Sequence, residues 1–266
     1  MAFKLDDIII DRIQYGVATN FNDELLYVLT QLSEASINIT ADSTDSVDKM
    51  GTLIKRFWRG KQGEFTATNA MINLNIIGAE SGNGKEYASA DAPIVMPKIV
   101  SVKAGTATTE LGKNVVKGTV KVSVLHGNGA MGKSFVMDTD YSVADTGTLT
   151  LPKNVPADDM DATNDVFLIK YNRTVSASGV RIQNKADAFP QTVHLTLKAL
   201  AVDPCNADAL KACYIYMPSF QPSPEQDMSF TTDATMDFSG SLQVDYCSAD
   251  KVLYEIYWCD DDDEEL

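Results

Sequence analysis

The chain has 266 residues, 44% of them hydrophobic, and carries 22 Lys and Arg against 37 Asp and Glu, for a net charge of -15. That length and apolar fraction are enough to bury one large core or two smaller ones, and they exclude a chain that is disordered over most of its length. The acidic excess excludes adhesion to nucleic acid or to an anionic membrane as the main role; it suits solubility, and also a surface past which a polyanion moves without sticking.

At the start, Met1-Ala2-Phe3-Lys4-Leu5-Asp6-Asp7 places acids where a signal peptide keeps its apolar core. No run approaches the roughly 18 apolar residues of a membrane span, so synthesis and folding in the cytosol are expected, with no membrane partner. Ile8, Ile9 and Ile10 suit a short helix or an edge strand. Asn22-Asp23-Glu24 offers a cap ahead of Leu25, Leu26, Val28, Leu29 and Leu32, which predicts a short amphipathic helix over 23–33 or the approach to a first strand.

Ile37, Ile39 and Ala41 alternate with Asn38 and Thr40, and a second run, Leu53 to Trp58, is rich in β-formers and ends at Gly60. Two strands with a polar connection are expected. Within that connection Asp42, Asp45 and Asp48 recur at a spacing of three, and the Ser, Thr and Gly around them predict a loop over 42–52. The loop is either solvated or in polar contact with a neighbouring subunit, with metal binding the minor alternative. Phe65 to Ile77 alternates again, predicting a strand with one dry face and one face of Asn and Thr.

Residues 78–92 read as a surface connection. From Pro93 to about 178 the texture changes to short alternating runs between Gly-containing turns, such as Val120, Val122 and Val124, Leu149-Thr150-Leu151 and Val166 to Ile169. These predict an immunoglobulin-like β-sandwich inserted over 93–178, or else further strands of one larger barrel. Alternation resumes at Val193, Leu195 and Leu197, continues around Cys213 to Met217 and Ser239 to Asp245, and ends with Val252 to Trp258. The fold class is therefore mainly β: a barrel or sandwich core over 1–92 and 179–259, short helices, the inserted sandwich, and an acidic solvated tail over 260–266.

Gly127-Asn128-Gly129-Ala130-Met131-Gly132-Lys133-Ser134 matches the phosphate-binding pattern of nucleotide hydrolases, and a β-run precedes it. The mechanism also needs a helix opening at Ser134, with its N-terminus on the phosphates. Residues 135–151 carry β-formers and turns with no helical stripe, so Gly127, Gly132, Lys133 and Ser134 are read as a chance match at a hairpin tip. Cys205 and Cys213, and Cys247 and Cys259, lack the close spacing of a zinc knuckle, and Cys213 has apolar neighbours. A later disulfide among the other three stays open. His194 falls on the polar side of a strand and His126 beside a turn, with no nucleophile motif near either. No cofactor is implied. Lys55, Arg56, Arg59 and Lys61, interleaved with Phe57 and Trp58, suit either strand-mediated nucleic-acid contact or a charged interface with an acidic neighbour.

Taken in order, the Ile-Thr-Ala-Asp-Ser segment at 39–43, Ile-Lys-Arg-Phe-Trp-Arg at 54–59, Gly-Glu-Phe-Thr-Ala-Thr-Asn-Ala at 63–70 and the later block from Asp227 to Phe238, followed by Asp245-Tyr246-Cys247, resemble the major tail tube proteins of tailed bacteriophages. The resemblance covers about half of the chain and lies in order and texture. It implies a non-enzymatic virion protein, a β-barrel protomer in homohexameric rings that stack into a tube, made in the host cytoplasm and placed in the tail. DNA would transit the lumen at ejection without specific binding, and sheath, baseplate or terminator proteins would be partners. On this reading Asp42, Asp45, Asp48 and Gly51 belong to an inter-ring loop, and Arg56, Trp58 and Arg59 to a subunit contact. The alternative is a capsid decoration or virion adhesion protein carrying an immunoglobulin-like domain.

Overall fold

The computed structural model describes residues 6–204, 206–232, 234–245 and 249–258. Cys205, Cys247, Cys259 and the acidic stretch 260–266 lie outside the described residues. The fold is mainly β, with strands taking up 56% of the chain and helix 3%. In chain order the first elements are β1 (Ile9–Thr19), β2 (Leu25–Thr30), β3 (Leu32–Val47), β4 (Leu53–Asn69), the helix α1 (Leu74–Glu80) and β5 (Lys85–Tyr87). Next come β6 (Ile94–Lys103), β7 (Thr108–Glu110), β8 (Val115–Leu125), β9 (Met131–Ser134), β10 (Ser142–Val143), β11 (Thr148–Thr150), β12 (Val166–Val175) and β13 (Val180–Ile182). The last are β14 (Val193–Asp203), β15 (Asn206–Pro222), β16 (Met236–Leu242) and β17 (Glu255–Trp258). The chain divides into two compact units: one comprises the residues up to Lys85 and those from Ile182 onward, the other Glu86–Arg181.

The first unit is built on one antiparallel sheet in the order β2-β1-β14-β15-β16-β4-β3, with β17 pairing along β15. Alternation sets its dry face: Val193, Leu195 and Leu197 of β14, Met217 of β15, Phe65 and Ala67 of β4, and Phe238 and Leu242 of β16 are all buried in one cluster. The rings of Phe65, Phe220 and Phe238 meet edge-on or tilted, with centroids 5.6–6.2 Å apart. Each such side chain stabilises the fold by about 1.5–3 kcal/mol through burial. Gly240 lies against these rings, where a Cβ would come 2.4 Å from Phe220 Cζ.

Several expectations need correction here. Residues 25–30 form the strand β2 and not a helix; Leu29 is buried while Leu25 and Leu26 are exposed. The segment 42–52 is not one loop, because β3 runs on to Val47 and only residues 48–52 turn. The runs on either side of Gly60 are one strand, β4, since Gly60 takes φ +52 in a bulge and the ladder continues beyond it. Conversely the alternation over 65–77 is not one strand. It stops at Asn69, and Asn73 caps α1 by accepting a hydrogen bond from the Asn75 amide at 2.8 Å. Ile76 then points into the core, and Asn75 Nδ2 donates to the Val28 carbonyl at 2.7 Å, tying α1 to β2.

The last residue of α1, Glu80, is only 2% exposed. Among the described residues neither of its carboxylate oxygens has a hydrogen-bond partner, and the buried hydroxyl of Tyr27 has none either. Burial, with the charge of Asp237 adding to it, pushes the Glu80 carboxyl up to about 8. Burial and the nearby Glu80 likewise push the Tyr27 hydroxyl up.

The second unit contains a four-stranded sheet, β6-β12-β8-β9, and a three-stranded sheet, β10-β11-β7. Val120, Val122 and Val124 of β8 and Phe167, Ile169 and Tyr171 of β12 share one buried cluster with Val143 and Leu149 of the other sheet. Two tyrosines keep their polar tips satisfied inside it. Tyr141 Oη donates to the Val120 carbonyl at 2.6 Å and Tyr171 Oη to the Leu111 carbonyl at 2.8 Å.

Candidate assembly interface

The outer half of the β3–β4 hairpin is the most exposed regular structure in the first unit. From Asp42 to Val47 and from Leu53 to Gln62 every residue is exposed, so both faces of the ladder meet solvent. At about 3.3 Å per residue, the seven residues of β3 beyond Thr40 make an arm roughly 20 Å long. Its register is well defined: Asp42 lies opposite Arg59, Ser43 opposite Trp58, Thr44 opposite Phe57, Asp45 opposite Arg56 and Ser46 opposite Lys55.

Opposed residues share a face, so one face presents Trp58 with Arg56 and the other presents Phe57 with Lys55 and Arg59. Arg56 Cζ sits 5.7 Å from the Trp58 ring centroid, and Lys55 Nζ sits 5.2 Å from that of Phe57. Trp58 is 65% exposed, Ile54 68% and Met50 91%; Val47, Leu53 and Phe57 are exposed as well. Between Asp42 and Lys61 five cations outnumber three acids, in a chain whose net charge is -15. The arm is thus an apolar, locally basic element of an acidic protein.

The three aspartates do not form a common site. Asp45 accepts a two-pronged hydrogen bond from Arg56, at 2.7 and 2.9 Å, and this contact holds its carboxyl below the usual range. Asp48 closes the turn: its Oδ1 accepts from the amides of Thr52 and Met50, each at 2.8 Å, and these bonds lower its pKa. Gly51 completes that turn at φ +83, a backbone conformation that an L side chain resists. Asp42 belongs to the ladder opposite Arg59. Of the arm's exposed apolar residues, Leu53 and Ile54 are the ones the sequence did not mark as contact candidates. Their signal was present in Leu53 to Trp58, which places large apolar residues at both parities of a strand and so leaves it no polar face.

The phosphate-loop match lies in the second unit, at the β8–β9 hairpin. Residues 126–130 form its turn, where the His126 amide donates to the Ala130 carbonyl at 2.9 Å; Gly132, Lys133 and Ser134 lie within β9. The acid Asp165 occupies the loop's inner side, accepting from the Gly127 amide at 3.0 Å and bonding His126 Nδ1 at 2.7 Å. Lys133 reaches Asp159 at 2.9 Å, and Ser134 Oγ lies 3.1 Å from Ser123 Oγ. His194 is distant from this loop in sequence and belongs to β14, where it lies 3.3 Å from Tyr216 Oη and stacks edge-on with Phe21. Cys213 is fully buried as a free thiol, and burial pushes its pKa up. Among the described residues, no three His, Cys, Asp or Glu are placed to hold a metal ion.

The model of the YomU/Tube protein family matches residues 16–252, which take in the whole arm, all of the second unit and most of the first. No curated protein matches the chain. The match spans nearly all of the sequence, so the chain belongs to the YomU/Tube protein family, a phage tail tube family, and its place is in the virion tail.

Proposed function

We propose that this protein is a structural, non-enzymatic tube subunit, made in the host cytoplasm, whose copies form hexameric rings that stack into a bore for DNA. The observation that carries assembly is the arm. A two-stranded hairpin exposed on both faces is marginal in water, and one that keeps Trp58, Phe57 and Ile54 in solvent is completed by another protein surface. The inter-ring roles of Asp42, Asp45, Asp48 and Gly51 and the subunit contacts of Arg56, Trp58 and Arg59 are part of this proposal. Asp45 and Asp48 act through the arm's shape, while Trp58 and Arg59 present contact surface.

DNA passage is supported by the part of the opposite face of the core sheet formed by β3, β4 and β16. The cross-strand rows Ser33–Thr68–Asp237, Ser36–Thr66–Ser239 and Asn38–Glu64–Ser241 set short polar side chains and two acids side by side, with no Lys or Arg among them. Ser36 and Thr66 hydroxyls bond at 2.8 Å, and Thr68 Oγ1 donates to Asp237 at 3.1 Å, so these groups hold one another flat. A surface of this kind offers a phosphate backbone no counter-charge to grip. We also propose that the inserted unit is an immunoglobulin-like sandwich, from its two sheets closing over one core.

Electron microscopy of the purified chain over a concentration and salt series tests the assembly reading. Six-membered rings or hollow tubes are expected. Monomers or trimers that also fail to polymerise on virion initiator proteins would overturn it in favour of a decoration or adhesion role.

A further inference from the structure

The charge of the chain is divided unevenly. The second unit, Glu86–Arg181, holds 10 of the 22 basic residues and 10 of the 37 acidic ones, so it is neutral and the first unit carries the whole acidic excess. Inside the second unit the signs separate again. The strands β6, β8, β9 and β12 carry seven cations and no acid, whereas seven of the ten acids fall between Asp138 and Asp165, outside those strands. Val120, Val122, Phe167 and Ile169 point into the core, so alternation sends their neighbours to the opposite face of the four-stranded sheet. Register sorts these into the rows Ile99–Lys170–Lys121, Ser101–Leu168–Ser123–Ser134 and Lys103–Val166–Leu125–Met131.

Lys121 and Lys170 stand directly opposite each other, both exposed. Among the described residues, neither they nor Lys103 makes an ion pair, although Lys117 and Lys133 of the same sheet reach Asp145 and Asp159. Like charges opposed across a ladder destabilise it, and a face meant only for solvent interleaves both signs. Nor are the apolar members of the rows covered. Ile99 is 66% and Met131 62% exposed, and Leu125, Val166 and Leu168 are half-buried.

We infer that this face docks an acidic protein surface, which sets carboxylates over Lys103, Lys121 and Lys170 and apolar side chains over Leu168, Val166 and Met131. Unpaired cations beside a half-apolar centre have the anatomy of a protein contact, and the opposed lysines are a cost in the free chain that a bound carboxylate removes. A polyphosphate or nucleic acid matches less well. The rows contain no Arg to fork phosphate oxygens and no aromatic ring to stack on a base, and a solvated polyanion would leave Leu168 and Met131 bare.

Fluorescence anisotropy of a labelled glutamate–tyrosine copolymer, titrated with the full chain at about 0.1 M salt, tests this, because charges more than roughly 10 Å away are then screened. Lys121→Glu combined with Lys170→Glu should weaken binding about tenfold. Ile99→Ser combined with Met131→Ser, both exposed, should weaken it about threefold, and polyglutamate should bind less tightly than the copolymer. Lys170→Glu alone should lower affinity while raising the melting temperature, since it turns a repulsion across the ladder into an attraction. Affinity lost together with stability would overturn the inference. So would a wild-type chain that does not bind, or a doubly charge-reversed chain that binds within about twofold of wild type. Polyphosphate or duplex DNA binding more tightly than the copolymer would also overturn it and assign the face to a polyanion.

Discussion

One hairpin, β3–β4, lives in two environments. At its base, Phe65 and Ala67 are sealed in the core while Ser36 and Thr66 bond on the outer face. Toward its tip the same ladder continues with both faces in water, bound by its own register, the Asp45–Arg56 pair and the Asp48 turn. Hydrogen-bonded pairing alone therefore does not decide stability. The base is held by apolar burial against five neighbouring strands; the tip lacks that term, and its apolar side chains remain available to a partner. The two halves should respond to substitution in opposite ways, the base in folding and the tip in assembly.

The largest expected effect is at the base. Phe65→Ala removes a ring that packs against Phe220 and Phe238 and should cost about 3–5 kcal/mol, lowering the urea midpoint of the isolated chain. A loss below about 1 kcal/mol would mean that the base is no better supported than the tip. Next comes Glu80, beneath the same sheet. Its folded pKa of about 8 exceeds the ordinary 4.5, so the folded state binds the proton more tightly. Stability is then full below pH 4.5, declines as pH rises toward 8 with a slope of at most about 1.4 kcal/mol per unit, and levels off above. Glu80→Gln should match wild type near pH 4.5 and melt higher at pH 9. Parallel melting curves at both pH values would show that Glu80 carries no such penalty.

The base was more legible in the sequence than the tip. Val193-His194-Leu195-Thr196-Leu197 alternates strictly because one face is dry, and the strand follows directly. Leu53 to Trp58 has no such contrast, and Gly60 looks like a stop, since sequence alone does not say whether a glycine ends a strand or bulges within it. The alternation Ile72, Leu74, Ile76 suggested a strand where tertiary packing and the Asn73 cap made a helix. At the candidate interface, the interleaved cations and aromatics from Lys55 to Lys61 stand out in composition, which by itself does not choose between nucleic acid and an acidic neighbour as their partner.

The smallest effect isolates the tip as a unit. Gly51 holds the turn at φ +83 in open space, so Gly51→Ala adds backbone strain of about 1 kcal/mol without a clash. If tip and base are independent, that strain is confined to the arm. Amides of residues 43–47 and 53–58 should then exchange roughly fivefold faster, while the global urea midpoint stays put. Assembly should weaken by the same factor, because a partner that binds the formed hairpin must first pay for forming it. A fall in the global midpoint equal to the local loss would show that the ladder is one cooperative piece from Leu32 to Val47. The arm would then owe its shape to the core, and substitutions such as Trp58→Ala would no longer separate assembly from folding.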